Sequence, residues 1–247
     1  RLTSQIGSGA GIAAESGIPV VCDFRTTDVA LHGQGAPLVP VGDRNLFGDY
    51  DYCLNLGGFS NISSEAPDGS RKAYDITAVN YVLNHYTRLE GEDYDKDGLR
   101  ARRGKVHNTV LDVLNLLPFY KQGGPKSLGR EWVEEEVFPL IDSFGLGTDD
   151  VLATFCEHVA VQTASHVRPG SRVLVTGGGA FNRYLMERMA ARAPRVVYFI
   201  PDALTVNFKE ALIFAFLGVL YVCGIPSCLS SVTGSLHDNI GGALYKC

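Results

Sequence analysis

Short apolar runs that close on glycine alternate along this chain with longer stretches in which apolar residues recur every three or four positions. That alternation predicts an α/β architecture. Residues 18–24 and 50–56 read as buried strands, the second ending at Gly57-Gly58. Residues 71–76 read as an antiparallel return with Pro67-Asp68-Gly69 at the hairpin tip, so that two strands form a meander at a sheet edge. Residues 172–176 read as a buried strand running into Gly177-Gly178-Gly179, and 195–200 as another strand.

Helical spacing covers 108–117 through Val110, Leu111, Val113, Leu114 and Leu117, and 131–142 through Trp132, Val133, Val137, Leu140 and Ile141. A helix at 149–167 places Val151, Leu152, Phe155, Val159 and Thr163 on one face, with Thr148 and Asp149 as cap and Pro169-Gly170 as stop. Residues 182–191 form another. Residues 208–223 are apolar nearly all round, so that helix is expected to be buried, with Gly224 and Pro226 ending it. The tail beyond has no clear period.

With 247 residues, 45% of them hydrophobic, the chain can bury a core without disulfide or metal staples. A net charge of −5 and the lack of a basic stripe argue against a nucleic-acid partner. Cys22, Cys53 and Cys156 lie in apolar runs, as buried free thiols do, and the dispersed cysteines suggest a reducing, cytoplasmic setting. Cys223 and Cys228 are near enough in sequence to pair. The apolar run 211–223 is shorter than the ~20 residues of a membrane span, so no membrane partner is expected, and no leader is visible. The chain opens on Arg1 rather than Met, which suggests a preceding segment. The six histidines do not cluster, so no metal site is expected.

The 28 glycines exceed the usual ~7% share and gather at strand ends, where main-chain N–H groups can hold a polyanion. Gly57-Gly58-Phe59-Ser60-Asn61 could wrap a terminal phosphate, with Ser60 or Asn61 donating, or form a plain hairpin turn. Asp75, expected at the end of a strand, could be a desolvated general base or a helix cap. Asp93-Tyr94-Asp95-Lys96-Asp97-Gly98 imitates an EF-hand opening, but position twelve is Gly104, so the calcium reading fails and an acidic turn before a helix remains. Pro125-Lys126-Ser127-Leu128-Gly129-Arg130-Glu131 could hold an anion or simply start a solvated helix. Three successive glycines at Gly177, Gly178 and Gly179 suit the flat face of a nucleoside. Glu210, expected in the first turn of its helix, could bind a sugar hydroxyl or only oppose the helix dipole.

In order, these segments resemble the anhydro-N-acetylmuramic acid kinase family. The resemblance runs through Ser4-Gln5-Ile6-Gly7, Asp23-Phe24-Arg25, Asp28-Val29-Ala30, Gly33-Gln34-Gly35-Ala36-Pro37-Leu38-Val39-Pro40, Gly57-Gly58, Asp75 with Asn80, Tyr94-Asp95-Lys96-Asp97-Gly98, Lys126-Ser127-Leu128-Gly129-Arg130-Glu131, Gly177-Gly178-Gly179-Ala180-Phe181-Asn182 and Ser231-Val232-Thr233-Gly234. The resemblance implies an actin-like ATPase fold of two lobes with a cleft between them, the first lobe incomplete in this chain. Residues 1–22 with 224–247 would be the remnant of that N-terminal lobe, and 23–223 the C-terminal lobe.

It also implies a kinase that converts 1,6-anhydro-N-acetylmuramic acid, ATP and water into N-acetylmuramic acid 6-phosphate and ADP in peptidoglycan recycling. Asp75 matches the general base, Arg25, Gln34 and Glu210 the sugar pocket, Gly57, Gly58 and Asn61 the phosphate-facing hairpin, and Gly177, Gly178 and Gly179 the adenosine loop. Mg²⁺ would bridge the phosphates, and a homodimer comes in by resemblance alone. Two departures stand out. The family's Gly- and Ser/Thr-rich phosphate loop lies ahead of Arg1, so the polypeptide as written is expected to be weak or inactive. The usual Asp-Thr-Gly-Pro-Gly-Asn becomes Asp75-Ile76-Thr77-Ala78-Val79-Asn80. A non-catalytic nucleotide- or sugar-binding homologue is the competing reading.

Overall fold

The computed structural model describes residues 7–246. In chain order the elements are α1 (Gly9–Ser16), β1 (Val20–Cys22), α2 (Thr26–Ala30), α3 (Val39–Leu46), β2 (Tyr52–Leu56), β3 (Phe59–Glu65), β4 (Arg71–Ala78), α4 (Asn80–Arg88), α5 (Leu99–Arg103) and α6 (Asn108–Asn115). Then α7 (Arg130–Trp132) runs through a π-helical turn at Val133–Val137 into α8 (Phe138–Asp142). There follow α9 (Thr148–His166), β5 (Arg172–Thr176), α10 (Arg183–Arg192), β6 (Val197–Phe199), α11 (Ala203–Val222), α12 (Ser230–Thr233) and β7 (Ala243–Tyr245). The Ser4-Gln5-Ile6 motif and Cys247 lie outside the described residues.

The chain packs as two compact units. One holds residues up to 48, 64–73 and 208 onward, and the other 49–63 with 74–207. These boundaries differ from the expected breaks after residues 22 and 223. The reason is local. α3 is bound to α11 by a buried ion pair between Lys209 Nζ and Asp43 Oδ1 (2.6 Å) and by Gly42, where a Cβ would meet Ile213 Cγ1 at 2.5 Å.

A five-stranded mixed sheet runs β4-β3-β2-β5-β6, with β2 parallel to β5 and β5 parallel to β6. Leu54, Leu56, Ile76, Val173 and Val175 are buried in one core with Leu152, Phe155 and Val159 of α9. The meander has three strands, not two. β3 escaped the sequence reading because Ser60, Asn61, Ser63 and Ser64 hide its alternation. Buried Ser60 is satisfied by donating to Thr77 O (3.1 Å) and accepting from Thr77 N (3.2 Å). α9 begins one residue earlier than expected, with Gly147 and not a side chain at its cap. Asp149 and Asp150 in its first turn oppose the helix dipole and pair with Arg100 and His107.

In the first unit the Ser8 hydroxyl caps α1 by accepting from Gly11 N (3.1 Å), and Gly17 ends it at φ 66°. β1 pairs antiparallel with β7, Val20 opposite Tyr245, so the tail without a period closes a sheet. α11 starts at Ala203, five residues before the expected start. It is not buried all round: Ile213, Leu217 and Leu220 are covered, while Leu212, Val219 and Val222 are exposed, because the chain packs against one side of it only. At 20 residues it is long and apolar enough, by length and composition, to cross a membrane. Cys53, Cys156 and Cys228 are buried, Cys22 is half-buried and Cys223 exposed. All five are free thiols, so Cys223 and Cys228 do not pair.

Candidate active site

Asp75 belongs to β4, three residues short of its end rather than at it. Its carboxylate does not cap α4, whose first residue follows Val79 with no side-chain cap. Instead the segment 126–128 lies along it. Asp75 N donates to Lys126 O (2.9 Å), and Oδ2 accepts from Leu128 N (2.8 Å) and more distantly from Ser127 Oγ (3.4 Å). Both bonds fall on Oδ2, and Oδ1 has no hydrogen-bond partner among the described residues. Burial pushes the Asp75 carboxyl above the usual carboxylate range, against the opposing pull of the Leu128 and Ser127 donors. The segment holding Ser127 and Leu128 was read as an anion site or a helix start, and its contact with Asp75 was missed, because nothing local signals a carboxylate 52 positions away.

Lys126 is not an open anion site. Its ammonium donates to Phe119 O (3.0 Å) and Gln122 O (3.2 Å) and lies over the Phe119 ring. Gly129, not a polar side chain, precedes α7.

The two glycine turns meet because β2 and β5 are parallel and in register, Asn55 opposite Thr176. Each turn follows the C-terminal end of its strand. Gly177 sits at φ 81°, where a Cβ would meet Asn55 Oδ1 at 2.6 Å and Leu56 O at 2.8 Å. A Cβ on Gly179 would meet Leu56 Cβ at 2.8 Å. Close packing therefore accounts for these two. Gly178 is exposed, and the nearest atom to its Cβ position is Asn80 Nδ2 at 3.6 Å. Asn80 holds the first of these turns, donating from Nδ2 to Leu56 O (3.2 Å) and from its main chain to Gly57 O (3.2 Å). Gly57 N–H bonds Phe59 O, and Gly58 O accepts from Val79 N and Tyr81 N, while Gly58 N–H has no partner among the described residues. Asn61 is exposed on β3, whereas Ser60 is buried and spent on Thr77, which removes it as a phosphate donor.

The acidic turn at 93–98 is structural. Asp95 accepts from Arg100 N and Ala101 N (2.9 Å each), and a Cβ on Gly98 would meet Asn182 Oδ1 at 2.2 Å.

Arg25, Gln34 and Glu210 all belong to the first unit. Arg25 Nη1 donates to Gly35 O (2.6 Å), and its guanidinium lies 5.9 Å from the Phe214 ring centroid. Gln34 is exposed on the turn that follows α2, and Glu210 is exposed on α11. Glu210 is in the eighth position of α11, not the first turn, so the helix dipole does not explain it. No group of three or more His, Cys, Asp or Glu that could hold a metal occurs among the described residues.

Comparisons with known proteins bear on this arrangement. Residues 1–247 match the model of the family described as anhydro-N-acetylmuramic acid kinase. A kinase of that name from Pseudomonas paraeruginosa is 37% identical over 264 residues, covering 99% of this chain and 70% of the relative. Two solved structures align with this chain at 18% identity and a TM-score of 0.44. They are the activator of the 2-hydroxyisocaproyl-CoA dehydratase from Clostridium difficile with bound ADPNP (76% of this chain, 67% of that one) and component A of the (R)-2-hydroxyglutaryl-CoA dehydratase from Acidaminococcus fermentans (71% and 63%). The match along the whole length, together with that identity, makes this chain a member of the anhydro-N-acetylmuramic acid kinase family.

Proposed function

We propose that the protein phosphorylates 1,6-anhydro-N-acetylmuramic acid at O6 at the expense of ATP, opening the anhydro ring with water, as a step of peptidoglycan recycling. The observation that carries the chemistry is the Asp75 carboxylate: half-buried, held through Oδ2, with Oδ1 free. Such a group is a competent general base, since desolvation brings a carboxyl nearer the pH at which it must accept a proton. Oδ1 takes a proton from water as the oxygen attacks the anomeric carbon. The bond from that carbon to O6 breaks, and O6 forms a bond to the γ-phosphorus as the bond to the β-bridging oxygen of ATP breaks, leaving ADP. In-line transfer of this kind asks the protein mainly for positioning and charge stabilisation.

Gly58 N–H and Asn61 are assigned to the phosphates, Gly178 to the face of the adenosine, and Arg25, Gln34 and Glu210 to the sugar. Mg²⁺ supplies charge neutralisation when bound with the nucleotide, and it asks for few protein ligands, keeping water and phosphate oxygens around it. The altered segment after Asp75 does not disturb the base, because Lys126 O and Leu128 N hold the residue from outside that segment.

The test is incubation of the protein with ATP, Mg²⁺ and the anhydro sugar, followed by mass spectrometry. Equal amounts of ADP and N-acetylmuramic acid 6-phosphate are expected. Binding of both substrates without product would instead favour the non-catalytic homologue.

A further inference from the structure

The Asp28-Val29-Ala30 and Ser231-Val232-Thr233-Gly234 motifs have no part in the reaction described above, yet the fold brings them together in the first unit. Asp28 is fully buried in α2. Its Oδ1 accepts from Thr233 Oγ1 (2.8 Å) and Asn239 Nδ2 (3.0 Å), and its Oδ2 from Gly35 N (2.9 Å). These partners are neutral donors. A buried carboxylate is costly, and replacing buried charges by apolar groups is often neutral or stabilising. Stability alone is a poor account of this one.

What the carboxylate holds is the turn that carries Gln34. Gly33 N donates to Asp28 O (2.8 Å), Gln34 N to Thr233 O (3.0 Å), and Gly35 N to the carboxylate itself. The turn is fitted closely: a Cβ on Gly33 would lie 2.1 Å from Asp28 Oδ2, and Gly35 sits at φ 69°. Arg25 then bonds the Gly35 carbonyl at 2.6 Å, so the guanidinium is set by the position of the same turn.

We infer that Asp28 and Thr233 are positioning residues for the sugar site, a clamp that fixes the Gly33-Gln34-Gly35 turn and through it the Arg25 guanidinium. The inference rests on the proposed sugar-binding role of Arg25 and Gln34. Hydrogen bonds from Asn239, Thr233, Gly35 and Ser235 outweigh burial and keep the Asp28 carboxyl below the usual range, so it is ionised at neutral pH.

Calorimetric titration with 1,6-anhydro-N-acetylmuramic acid and, separately, with a non-hydrolysable ATP analogue tests it on the intact protein. Thr233→Val removes the hydroxyl at nearly constant volume, Thr233→Ser keeps it, and Asp28→Asn keeps the shape without the charge. The loss of one bond to a charged group predicts about a tenfold rise in sugar Kd for Thr233→Val. Asp28→Asn should do the same, Thr233→Ser should restore the parent value, and nucleotide Kd should stay within about twofold throughout. Equal loss of both ligands, or a fall in Tm with both Kd values unchanged, overturns the inference. Arg25→Ala serves as the reference. If it weakens sugar binding while Thr233→Val does not, the clamp alone is wrong. If Arg25→Ala has no effect on sugar binding, the sugar-site reading fails and the clamp with it.

Discussion

At the scale of single residues, Asp75 is defined by which of its oxygens is occupied. Leu128 N and Ser127 Oγ both approach Oδ2, so one oxygen anchors the group and the other is available to water. Burial raises its pKa. Protonation would remove the proposed base, so kcat/KM should fall as pH drops through a midpoint above the ordinary aspartate value of 3.8. Ser127→Ala removes a donor that favours the ionised form. The acid limb of the pH profile should therefore move to higher pH, and Ser127→Thr should return it. An unmoved limb in Ser127→Ala would assign that hydroxyl no part in tuning the base. The sequence showed Asp75 as a carboxylate near the end of a strand but not what holds it. Lys126, Ser127 and Leu128 are more than fifty positions away, and neither period nor spacing reports a contact of that kind.

At the scale of elements, the parallel pairing of β2 and β5 determines where the two glycine turns lie. Register places Asn55 opposite Thr176, so both strands run out at the same level and their glycine turns become neighbours. The strand at Arg172–Thr176 matches its expected span, because an uninterrupted β-branched and leucine run bounded by glycine is distinctive. β3 was hidden because four of its seven residues are Ser or Asn. The triple glycine divides by cause. Gly177→Ala places a Cβ against the Leu56 carbonyl at a positive φ, and Gly179→Ala overpacks Leu56. Each should cost about 1–3 kcal/mol in chemical denaturation. Gly178→Ala meets only an ordinary contact with Asn80. It should leave stability within ~0.5 kcal/mol yet raise the KM for ATP. An unchanged KM there would remove Gly178 from the adenosine face.

At the scale of the whole molecule, the chain divides into two compact units whose bounds differ from those of the lobes expected from the resemblance. Segments distant along the chain are joined by contacts that no local pattern announces: the β1–β7 pair, and the Lys209–Asp43 ion pair between α3 and α11. That pair is buried, with side-chain exposures of 7% and 5%, so it is shielded from solvent screening. Lys209→Met would remove the ammonium 2.6 Å from the buried Asp43 carboxylate and should lower stability in chemical denaturation. Replacing both partners by apolar residues should recover most of that loss. A single variant as stable as the parent would refute this account of how α11 is held. α11 also shows where hydropathy misleads. Uniform apolarity predicted burial on every side, but the chain covers only one stripe.

The proposed chemistry rests on the Asp75 carboxylate, and the most direct test compares the parent protein with Asp75→Asn in the rate of N-acetylmuramic acid 6-phosphate formation, with the Kd of sugar and ATP analogue measured alongside. The account predicts a loss of about 10²–10⁴ in turnover with both dissociation constants nearly unchanged. Turnover equal to the parent's would contradict it.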